Sequence, residues 1–119
     1  MYLELNHSVY IMHFEGSDKS YLGVSLDMEY TEELHVNLMK DKKHHSKECN
    51  KLFRRNGYPI FTVLESDIRE RKTANDVLHS YRNRLGYRQD LTGKKGMRIS
   101  FKKMEIANFN EKLRLAYNK

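Results

Sequence analysis

From Leu3 to Phe14 the chain is rich in β-formers, and Ser20 to Leu26 is a second short run of the same kind. The five residues between them, Glu15-Gly16-Ser17-Asp18-Lys19, predict an antiparallel hairpin. From Met28 to Lys40 the period changes. Leu34, Leu38 and Met39 fall at helical spacing, with Asp27 placed to cap the N-terminus and Glu29 and Glu32 near its positive end. Asp41 to His45 is a polar loop, after which Ser46 caps a second helix running to Arg55, with Cys49, Leu52 and Phe53 on its inner face. Asn56-Gly57 stops that helix and Pro59 bars its return, so Ile60 to Leu64 reads as a buried strand. A third helix starts at Thr73, turns Ala74, Val77, Leu78 and Tyr81 inward, and ends at Leu85-Gly86.

Beyond the polar stretch Asp90 to Gly96, Met97 to Lys103 alternates as a fourth strand would. Ile106, Phe109, Leu113 and Tyr117 then mark an amphipathic helix. The pattern predicts a small α+β fold: an antiparallel three-stranded sheet flanked by helices, in the order β-β-α-α-β-α, with a C-terminal strand and helix added. With Tyr87 to Gly96 as the one boundary, residues 1–87 form the main domain. Residues 88–119 form a basic extension packed on it.

Charge changes this picture. The net +6 over 119 residues conceals −6 in residues 1–37, where Lys19 is the only base, and +12 in the remainder. A basic half of that size suits a polyanion, and nucleic acid is the first candidate. The bases fall in two sets. Lys42, Lys43, Lys47, Lys51, Arg54 and Arg55 follow the first helix, and Arg82, Arg84, Arg88, Lys94 and Lys95 surround the end of the third. No apolar run approaches the roughly 20 residues a membrane span needs. The start carries no signal-peptide pattern, and a lone Cys49 leaves no internal disulfide, so a cytoplasmic setting is expected. His45 and Cys49 have metal-compatible spacing beside His44, but one cysteine falls short of a structural zinc site, and a role in the loop and cap is expected instead.

The tripeptides Val9-Tyr10-Ile11 and Tyr21-Leu22-Gly23, one on each arm of the hairpin, resemble the signature of GIY-YIG nucleases. His35 on the first helix, the segment His44-His45-Ser46 through Leu52-Phe53-Arg54-Arg55-Asn56-Gly57, the strand Phe61-Thr62-Val63-Leu64-Glu65, and Tyr81 with Leu85 extend the resemblance over about residues 7–87. It implies phosphodiester hydrolysis, with Tyr10, Tyr21 and His35 as the catalytic candidates and Mg²⁺ as the cofactor of an active enzyme. It also implies an arginine on the first helix and a metal-holding glutamate on the third. Here those two positions are Thr31 and Leu78, and Glu29, Glu32 and Glu33 make the first helix acidic.

Three functions follow as expectations. The first is a nuclease-like domain that binds nucleic acid, duplex DNA foremost, with a degenerate catalytic site. The second is an active metal-dependent endonuclease whose site is rearranged, with Arg54, Arg55 or Arg82 reaching in from another element or Glu29 or Glu32 holding the metal. The third is an inactive nuclease fold that binds or inhibits a protein partner, through the acidic first helix or the apolar face of the C-terminal one.

Overall fold

The structure, a computed structural model, describes residues 6–86 and 88–92. The expected fourth strand and final helix, together with Lys94 and Lys95, lie outside the described residues. The elements run β1 (His7–His13), β2 (Ser20–Ser25), α1 (Met28–Lys40), α2 (Lys47–Asn56), β3 (Ile60–Ile68) and α3 (Arg71–Leu85). The order β-β-α-α-β-α and the three-stranded antiparallel sheet are as the sequence pattern predicts.

The sheet order is β2-β1-β3, with the hairpin partner and β3 flanking β1. Register decides which side chains meet. Tyr10 pairs with Gly23 and Met12 with Tyr21, so these four share one face, whereas Val9 and Val24 pair on the other. The first face is covered by α1 and α2. Tyr10, Met12, Phe14 and Tyr21 pack there with Leu34, Met39, Cys49 and Leu52. On the second face Val9 and Val24 pack with Ala74, and Leu64, Ile68, Val77, Leu78 and Tyr81 close around them. The domain is therefore a helix–sheet–helix sandwich with two cores, one per sheet face.

The helix ends behave as their sequences require. The Asp27 carboxylate accepts from the Tyr30 N–H at 3.2 Å, and the Ser46 hydroxyl accepts from the Cys49 N–H at 3.4 Å. Gly57 has φ 83° and ψ −154°, and this conformation, open to glycine rather than to residues with a Cβ, lets the chain leave α2 for β3. The third helix starts two residues before the expected Thr73, after Glu70, with no side-chain cap bond.

Two expectations about β3 need correction. The strand extends to Ile68 instead of ending at Leu64, and it is not buried: Ile60 and Val63 are both exposed. An apolar run signals a strand, but it does not report whether that strand is central or at the edge of its sheet. After α3 the chain runs back along the opposite edge. Ser20 bridges Asp90, the Leu91 N–H donates to the Ser20 carbonyl at 2.8 Å, and the Thr92 hydroxyl bonds both backbone groups of Leu22. Leu91 thereby joins the core beneath α1 and α2. Among the described residues, no helix is long and apolar enough to cross a membrane.

Candidate functional site

The hairpin register sets Tyr10 and Tyr21 side by side on the α1/α2 face, with ring centroids 6.5 Å apart and planes 22° from parallel. Tyr10 lies over its cross-strand partner Gly23 so closely that a Cβ at position 23 would meet the Tyr10 Oη at 2.5 Å. Glycine is required there for space. His35, one of the fully buried residues of α1, edges onto both rings, and its Nε2 is 2.6 Å from the Tyr10 Oη. The three residues singled out from the sequence are therefore brought together.

The fold adds two more. The His44 Nε2 lies 2.8 Å from the His35 Nδ1, and the His45 Nε2 lies 2.9 Å from the Tyr21 Oη. Both histidines precede the α2 cap, where the sequence offered them a loop role. Their partners lie nine and 24 residues away, so no local pattern signalled these contacts.

One bond orders the whole cluster. The Ser46 backbone N–H donates to the His44 Nδ1 at 3.1 Å. That nitrogen must then be the acceptor, which puts the ring proton of neutral His44 on Nε2. His44 Nε2–H therefore donates to His35 Nδ1, and His35 Nε2–H donates to the Tyr10 oxygen. Burial, with His45 nearby, pushes His44 down to about 4. Burial pushes His35 well below its ordinary value, with His44 and then His45 adding to the effect. Burial also lowers His45. The chain of donors is thus uncharged at neutral pH, and its far end is a backbone amide, which neither accepts nor releases a proton there. It orients the Tyr10 hydroxyl; it does not carry protons away from it.

Tyr21 is equally unsuited to act as a base. Burial raises its pKa, the Cys49 thiol and the Asp90 carboxylate raise it further, and only Arg82 opposes them. Arg82 has its Nε 2.7 Å from an Asp90 carboxylate oxygen, so the cation that opposes the rise is matched by a bound anion. Tyr10, Tyr21, His35 and His44 are all buried, and His45 alone of the five is exposed. A phosphodiester has no path to either phenolic oxygen in this arrangement.

No family model, characterised protein or solved structure matches this chain.

The two positions where the resemblance implies charge are turned inward. Thr31 is buried, with its Oγ1 2.5 Å from the Ser25 Oγ, and Leu78 packs into the α3 core on the opposite sheet face. Mg²⁺ takes oxygen ligands in octahedral geometry, whereas this cluster presents imidazoles and neutral phenols. Among the described residues, no three His, Cys, Asp or Glu side chains converge to hold a metal. The residues present do not fit the ion.

The candidate polyanion contacts fall on other surfaces. Lys42, Lys43, Lys47, Lys51, Arg54 and Arg55 are exposed at the end of α1 and along α2. Arg84 is exposed with its guanidinium 5.4 Å from the Tyr81 ring, Arg88 is exposed beyond α3, and Arg82 is half-buried against Asp90. Glu29 and Glu33 occupy the opposite, N-terminal half of α1.

Proposed function

We propose that this protein is a GIY-YIG-like nucleic-acid-binding domain that retains the tyrosine pair as architecture and has lost the hydrolytic chemistry. One observation carries the reading. The Tyr10–His35–His44 chain is closed by a backbone amide in a buried, uncharged site, while the exposed cations gather along α2. Phosphoryl transfer needs a tightly positioned metal or guanidinium at the phosphate. Polyanion binding needs only accessible cations. The partner is DNA, held through its backbone with little sequence preference, because no element among the described residues presents a base-reading row of side chains.

The test is a gel-shift series with duplex and single-stranded DNA from low to physiological salt. Binding that weakens with salt is expected, the log–log slope steepening by about 0.9 per duplex phosphate contacted and about 0.7 per single-strand phosphate. No binding of either form at low salt overturns the proposal. Plasmid nicking with Mg²⁺ or Mn²⁺ that Tyr21→Phe abolishes would overturn the loss of hydrolytic chemistry.

A further inference from the structure

A groove of about 360 Å³ opens between the C-terminal end of α1 and the outer side of α2. Its lining divides by chemistry. Met39 and Phe53 supply an apolar floor, and Lys40, Lys42, Lys47, Lys51 and Arg54 surround it, with no carboxylate among the described lining residues. A second aromatic ring adjoins the groove. The Phe53 and Tyr58 rings meet edge to face with centroids 5.4 Å apart, Tyr58 is 64% exposed, and the Lys40 Nζ lies 5.5 Å from the centre of its ring.

Asn50, which also lines the groove, donates its Nδ2 hydrogen to the His44 carbonyl at 3.2 Å. Its Oδ1 is shielded from solvent and has no hydrogen-bond partner among the described residues.

We propose that this groove is the seat of an unpaired nucleotide, and that the domain therefore prefers single-stranded DNA, or a base turned out of a duplex, over regular double helix. The inference rests on the nucleic-acid reading above and adds the form of the partner. A simple inorganic anion uses the five cations and wastes the aromatic floor; a neutral aromatic does the reverse. A nucleotide joins a π-face and a phosphate within one residue of chain. The volume lies at the small end of ligand sites, matching one nucleotide and not a base pair. In a duplex the base faces are covered by stacking, so only an unpaired base can lie on the exposed Tyr58 ring, which adjoins the groove through Phe53.

The experiment is fluorescence anisotropy on the whole chain at low salt. The labelled probes are a 15-nucleotide oligothymidine strand, a 15-base-pair duplex and an oligoglutamate peptide. Tyr58→Ala is the informative variant, because an exposed ring is removed with little effect on folding. Lys51→Glu tests the rim, and Arg84→Glu, on α3, is the distant control. The single strand should bind more tightly than the duplex. Tyr58→Ala should weaken single-strand binding by about five- to 100-fold, the loss of one stacked base, and leave duplex binding nearly unchanged. Lys51→Glu should weaken the single strand more than Arg84→Glu does. Duplex binding equal to single-strand binding and indifferent to Tyr58→Ala overturns the groove while leaving the nucleic-acid reading intact. Binding of the oligoglutamate peptide alone, or of no probe, overturns both.

Discussion

Lowering the pH should destabilise this protein through His44. In the folded state its Nδ1 accepts the Ser46 N–H, so protonation there breaks the bond that orders the cluster. The folded pKa, depressed by burial to about 4, lies below the ordinary 6.5 of the unfolded chain. Between those values the unfolded state binds more protons, so stability is complete above pH 6.5 and falls as the pH drops toward 4. At pH 5 the difference amounts to about 2 kcal/mol, and below pH 4 it levels off at about 3 kcal/mol, from 1.36 kcal/mol per pKa unit. His35, depressed in the same direction, adds to the loss.

Urea unfolding followed by circular dichroism at pH 8, 7, 6 and 5 measures this directly. With a slope of about 1–3 kcal/mol per molar urea, the midpoint should fall by about 1–2 M between pH 8 and pH 5. His44→Gln should be less stable at pH 8 and lose less on acidification, since its amide does not titrate. An unchanged wild-type midpoint across this range, or a full pH dependence retained in His44→Gln, refutes the tautomer chain.

Gly23→Ala should cost about 3 kcal/mol or more, because the added Cβ falls 2.5 Å from the Tyr10 Oη; the cost should shrink in the double variant with Tyr10→Leu, and equal losses in both backgrounds would contradict the packing. Thr31→Arg should be more damaging than any exposed-face substitution on α1, by several kcal/mol, since it places an unpaired cation at a buried position and removes the partner of Ser25; a thermal melt within about 1 kcal/mol of wild type would show that the site readily admits the missing arginine. The Cys49 thiol, buried and pushed up to about 11, should resist a thiol-specific reagent at pH 8 in the folded protein and react fully in urea; fast native-state labelling would mean that α2 opens.

The apolar rhythm alone determined the helices and the hairpin. Helical spacing in Leu34, Leu38 and Met39, the caps at Asp27 and Ser46, and the stops at Gly57 and Gly86 are local signals, set by bonds and conformations within a few residues. The hairpin was legible for the same reason, but its register was not: β1 ends at His13 and the connection runs one residue longer than expected, and that sets Tyr10 opposite Gly23. What the tertiary structure alone decided is everything that joins distant residues. It made β3 an edge strand, ran Asp90 to Thr92 along β2, and bound Arg82 to Asp90. It also gathered His44, His45 and His35 onto the two tyrosines, turning two loop histidines into the groups that set the hydroxyl's surroundings. Periodicity encodes which side of an element is apolar; the charge state of a buried cluster depends on who faces whom across the sheet, and that is settled only when the helices pack.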